Sequence, residues 1–200
     1  MKEMHKKILE LTLPYQDKRN DLGHAQIVID YGVKLCRLEK ADDNVVIPAD
    51  ILHDVGWSQV PKEEIQIIFD FRRERFSREQ ERVVRKKHEK QGRILGERIL
   101  NQVKYDINLI PEILNIIDGH DTRNGFFNRN DGVARDADIL WRFSKVGFWA
   151  DVRNGNFSMK ELYEHRKNNI DRQDYFYSES AKRIARKEIE KRGGEVRENL

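Results

Sequence analysis

Apolar residues recur at helical spacing through nearly every long segment of this chain, and the residues that break helices fall between those segments. Residues 1–13 carry Ile8, Leu9, Leu11 and Leu13 before Pro14, which predicts a short amphipathic helix ending there. Asp21 is placed to cap a helix running to about Leu38, with Ile27, Val28, Tyr31 and Leu35 on one face. Pro48 fits the first turn of a short helix that carries His53 and Asp54 and stops near Gly56. Pro61 opens a further segment whose apolar side is Ile65, Ile68 and Phe69. Ser77 and Gln80 form a capping box for a long helix reaching about Val103. Pro111 begins a segment with Ile113, Leu114, Ile116 and Ile117; 125–130 reads as loop, and a helix is expected from about 132 through 149. Ser158 and Glu161 make a second capping box, and a charged helix from about Ser180 is expected to end before Gly193 and Gly194. Only the short run 44–47 has a strand-like pattern. The expected fold class is all-α. It is a single-domain helical bundle over 1–200, with its core at about 20–150 and C-terminal helices at about 158–192.

Composition narrows the partners. The 200 residues hold 38 Lys and Arg against 35 Asp and Glu, a net charge of +3 that makes no case for nucleic acid or a membrane surface. No apolar run approaches the roughly 18 residues a transmembrane helix needs, and the N-terminal segment lacks a signal-peptide core. A cytoplasmic location is expected. The single cysteine, Cys36, rules out an intramolecular disulfide and any cysteine-based zinc cluster, and nothing marks it as a nucleophile.

The histidines gain meaning from their positions. His24 shares a helix stripe with Ile27, Val28, Tyr31 and Leu35, and His88 with Val84, Gly92, Leu95 and Ile99. His120 follows Ile113, Ile116 and Ile117 at matching offsets, and Asp138 has Ala134 and Trp141 on its side. His53 and Asp54 diverge by about 100° if helical, so both can flank one ion, and the aspartate's second oxygen can reach another. Burying six such groups separately would require six neutralising partners. One or two divalent ions satisfy them together. His5 and His165 lie among polar neighbours and read as surface residues.

The ordered set His24, His53–Asp54, His88, His120 and Asp138 resembles the HD-domain superfamily of metal-dependent phosphohydrolases, whose pattern is a histidine, a His-Asp doublet and a later aspartate. His88 and His120 match the extra histidines of its binuclear subgroups, and LHDVG around the doublet is the most specific piece. The resemblance spans about residues 20–150. It implies one ion on His24, His53, Asp54 and Asp138 and a second on His88, His120 and a bridging Asp54. Nitrogen and oxygen donors suit Fe, Mn, Co, Ni or Zn, with Mg also admitted. The implied reaction is hydrolysis of a small phosphomonoester or nucleotide by a metal-activated hydroxide, with Asp54, His88 and His120 at the chemistry.

Basic residues should hold the phosphate. Arg142 and Lys145 lie four and seven residues after Asp138, on one face if the helix continues, and Arg123 follows His120 closely. Asp121 or Asp118 are candidates to fix an imidazole, and Asp136 competes with Asp138, which fits the apolar face and the Ala137–Asp138 step better. Trp57, Trp141 and Trp149 read as core or pocket walls. Val55, Gly56, Trp57 and Ser58 follow the doublet, so the lysine common in cyclic-dinucleotide phosphodiesterases and diadenosine-tetraphosphate hydrolases is missing. So are the Gly-Tyr-Pro signature and the acidic pair of guanosine-alarmone hydrolases. The same ligand list fits the superfamily's di-iron oxygenases, and a non-catalytic helical module is the third reading.

Overall fold

The computed structural model describes residues 1–198. Among them there is no strand, and ten α-helices follow in order: α1 (Glu3–Thr12), α2 (His24–Glu39), α3 (Asp43–Leu52), α4 (Lys62–Ile65), α5 (Arg78–Gln102), α6 (Ile110–Ile117), α7 (Arg129–Trp141), α8 (Lys145–Asn154), α9 (Met159–Asn169) and α10 (Glu179–Glu198). No helix is long and apolar enough to cross a membrane among the described residues.

Helix α3 is the axis of the bundle. It packs against α1, α2, α6 and α7, while α5 packs on α6 and on the 3-10 turn Val55–Gln59. Every residue from Val45 to Leu52 is buried, so α3 has no polar face and loses the helical periodicity that marks surface helices. That is why 44–47 imitates a strand in sequence and is helix in the fold. Asp42 caps the helix by accepting from the Asn44 amide. Pro48 therefore lies in the helix interior and not in its first turn. A proline there cannot donate to the carbonyl four residues back, and the Tyr105 hydroxyl donates to that Asn44 oxygen instead, at 2.7 Å.

Three other boundaries move for identifiable reasons. Gly23, with φ +82°, occupies the N-cap of α2, and Asp21 pairs with Arg19. The expected 132–149 helix breaks in two: Phe143 turns fully into the core, and Ser144 caps α8 by accepting from the Gly147 amide. Helix α10 runs through both glycines, because Val196 beyond them is buried with Phe148 and Leu162. Packing there outweighs the roughly 1 kcal/mol that each glycine costs a helix. Both capping boxes, Ser77/Gln80 and Ser158/Glu161, are present as read.

Candidate metal centre

The doublet sits where α3 gives way to the following 3-10 turn. His53 is the C-cap of α3, and Asp54 precedes the turn Val55–Gln59. A Cβ built on Gly56 would lie 2.0 Å from the His88 carbonyl oxygen and 2.4 Å from the Gly92 amide. Only glycine lets this turn lie directly on the α5 backbone, and that approach brings Asp54 between two pairs of histidines.

The two carboxylate oxygens of Asp54 face opposite ways. Oδ2 lies 3.1 Å from His24 Nε2 and 3.4 Å from His53 Nε2, and Asp138 Oδ1 completes that group at 3.4 and 3.5 Å from the same nitrogens. Oδ1 lies 3.7 Å from His88 Nε2 and 3.6 Å from His120 Nε2. Asp121 Oδ2 stands 3.6 Å from His88 Nε2 and 4.0 Å from His120 Nε2. The result is two nitrogen–oxygen clusters sharing one carboxylate. Their four histidines and Asp54 are buried.

The donor chemistry fits divalent cations. His53 Nδ1 lies 2.9 Å from the Asp50 carbonyl and His120 Nδ1 2.9 Å from the Ile117 carbonyl. A carbonyl only accepts, so each Nδ1 carries the proton and, in the neutral ring, Nε2 presents its lone pair. The Nε2 atoms of His24 and His53 are 3.0 Å apart, and those of His88 and His120 3.2 Å. One ion with bonds of about 2.0–2.1 Å to both rings would set neighbouring ligands about 3 Å apart. Trp57 stacks on His88 with ring centroids 3.9 Å apart and donates from Nε1 to Asp54 Oδ1 at 2.9 Å.

Electrostatics keep the acids ionised. Burial works against the Asp54 carboxylate, but Arg19 and His53 outweigh it and hold its pKa well below the ordinary value. Burial likewise opposes the charge on Asp138 and Asp121, and His53 for the first and Arg85 for the second hold them low. Burial depresses His88 to about 3, aided by His120. That ring is neutral at physiological pH, the form that binds a metal.

The other candidates scatter. Arg142 caps the end of α7, 3.4 Å from Asp151, and lines a cavity next to Asp121. Lys145 starts the next helix, because the chain turns at Phe143–Ser144; it points outward, 70% exposed, 3.8 Å from Glu195. Arg123 is held by Asp131, by both oxygens of Asn115 and over the Phe127 ring, so it braces its own loop. Asp136 accepts the Tyr177 and Ser178 amides at 2.7 and 2.9 Å and caps the approach to α10, far from the chemistry of its neighbour Asp138. Asp118 pairs with Lys86. His165 is exposed as read, whereas His5 is not a surface residue: it lies on the inner face of α1, 2% exposed.

Three contributors carry no motif. Arg19, from the loop before α2, is buried; it donates to Asp21 and Asp54 and lies 5.3 Å over Trp57. Arg85 bridges Glu81 and Asp121 at 2.9 and 2.8 Å. Glu89, 0% exposed, accepts the Asp121 and Thr122 amides at 2.9 and 2.8 Å, the Thr122 hydroxyl at 2.6 Å and Lys86 at 3.0 Å. It fixes the turn that holds His120 and Asp121 beyond the end of α6. Its helix neighbours Arg85, Lys86 and Arg93 are charged, so nothing in the sequence marks Glu89 as buried.

No family model and no curated protein matches the sequence. The structure is similar to the crystal structure of a predicted HD superfamily hydrolase from an uncultured Thermotogales bacterium, with a TM-score of 0.62 and 18% identity. The match covers 99% of this chain and 90% of that one. It extends from the first helix to the last, well past the histidine-bearing core. The bundle, with its His-Asp doublet at the C-terminal end of α3, shares the fold of that structure.

Proposed function

We propose that this chain is a metal-dependent phosphohydrolase acting on a small phosphate ester. The observation that carries the reading is the shared carboxylate: Asp54 turns one oxygen to the His24–His53 pair and the other to the His88–His120 pair. His24, His53, Asp54 and Asp138 would hold one divalent ion, and His88, His120, Asp54 and Asp121 a second, from Fe, Mn, Co, Ni or Zn. When bound, such ions supply a nucleophile from water near neutral pH and neutralise phosphoryl charge.

The chain's own residues do the rest. Asp50 and Ile117 hold two imidazoles in the ligating tautomer through their carbonyls. Trp57 walls His88 from solvent and steadies Asp54. Arg85 fixes Glu81 through Nε and Asp121 through Nη1, and its Nη2 is the donor left for a phosphoryl oxygen at that edge. Lys145 and Arg123 have no part in this scheme, being committed elsewhere.

The test is phosphate release from a panel of phosphomonoesters and nucleotides with each metal supplied, beside metal analysis of the purified protein. Turnover that follows bound metal and disappears in His53→Ala supports the reading. Iron-dependent oxygen consumption without phosphate release replaces it with the oxygenase. A protein that retains no metal and turns over nothing is a helical module only.

A further inference from the structure

We propose that the cavity beside Asp121 is a leaving-group pocket that selects phosphate esters whose leaving group carries its own anion, a carboxylate or a second phosphate. The inference rests on the phosphohydrolase reading. The cavity has a volume of about 350 Å³, and Asp121 and Arg85 form the end next to the His88–His120 cluster. Arg73, Arg142, Arg166 and His165 also line it.

The carboxylates around this cavity are already engaged. Asp70 accepts the Glu74, Arg75 and Phe76 amides and the Asn156 side chain. Glu81 serves Arg85 and Arg73, and buried Asp151 serves Arg166 and Arg142. These pairings are unequal. Arg85 and Arg166 are tightly held, at 2.8 Å to Asp121 and 2.6 Å to Asp151. Arg73 and Arg142 stand 3.5 and 3.4 Å from their acids, beyond the roughly 2.7–2.9 Å of a good charged hydrogen bond.

Two guanidiniums therefore have donors to give. Arg166 is buried, and its Nε has no hydrogen-bond partner. The field agrees: partial burial, then the charges of Arg166, Arg172, Arg142 and Arg73, lower the pKa of His165. An uncharged leaving group leaves those donors to water, whereas an anion exchanges that water for charged hydrogen bonds.

The anion does not react. The water oxygen bonds to phosphorus, the ester oxygen leaves and takes up a proton, and the products are inorganic phosphate and an acidic alcohol.

The test uses metal-loaded enzyme and three esters on a three-carbon frame: glycerol 3-phosphate, 3-phosphoglycerate and propane-1,3-diol bisphosphate. The expected kcat/KM is at least tenfold higher for one or both doubly anionic esters, and which one separates carboxylate from phosphate. Arg142→Gln and Arg73→Gln, both on part-exposed side chains, should each cut that ratio at least fivefold. Calorimetry with glycerate against glycerol reads the pocket without turnover, and Arg142→Gln should abolish the glycerate signal. Turnover with no preference, or a ratio that neither variant moves, overturns the pocket. No turnover of any ester while glycerate still binds overturns the hydrolase reading and the leaving-group role, and keeps only an anion site.

Discussion

Replacing Glu89 with alanine should disable one half of the centre before the other. The carboxylate accepts four hydrogen bonds at 2.6–3.0 Å while fully buried. Truncation strands the Asp121 and Thr122 amides and the Thr122 hydroxyl, since Lys86 is half-exposed and can turn to water. Each buried donor left unsatisfied costs about 1–3 kcal/mol. Asp121 and Thr122 are only part-buried, so the low end applies and the sum is about 3 kcal/mol. For a chain of this size that is roughly 6–12 °C in melting temperature. His120 and Asp121 lie on the turn these bonds fix, whereas His24, His53 and Asp138 sit on or at the ends of other helices. Metal titration should therefore find the His24–His53 half intact and the His88–His120 half weakened at least tenfold. Glu89→Gln keeps the oxygen that takes both amides and should lose about 1 kcal/mol. Equal melting curves for wild type and Glu89→Ala, or two undiminished metal sites, would refute the clamp.

Gly56→Ala must push the turn off α5, because its Cβ would meet the His88 carbonyl at 2.0 Å; thermal melts should show a loss above about 3 kcal/mol, with metal retention falling too. Tyr105→Phe leaves the Asn44 carbonyl without its substitute donor, costing about 1 kcal/mol in denaturant unfolding. Burial raises Asp136 to about 7 despite the amides and hydroxyl it accepts. The folded state thus holds a proton that the unfolded chain has released above about pH 4, so this group's contribution to stability declines as pH rises from about 4 to 7. The melting temperature of the wild type minus that of Asp136→Asn should fall across that interval, and a flat difference rejects the shift.

Much of this was legible in the residues. His24 and His88 lie on apolar stripes because a helix repeats every 3.6 residues, so a polar group in the stripe must be buried. The capping boxes are local chemistry and fall as read. Helix α3 was obscured by being apolar on every side, and the break at Ser144 because Phe143 turns inward only when the rest of the core is present.

The linear chain determined which groups are available: four histidines and two aspartates on buried faces, in an order that names a fold, with no thiolates beside them. Tertiary structure decided how they meet. Arg19 and Asp121 join through loops that carry no periodicity, and Asp54 faces both histidine pairs only because Gly56 lets two backbones touch. Helical spacing records which side of an element is buried. It carries no information on which buried sides come within 4 Å of one another, because that depends on long-range packing across the whole bundle.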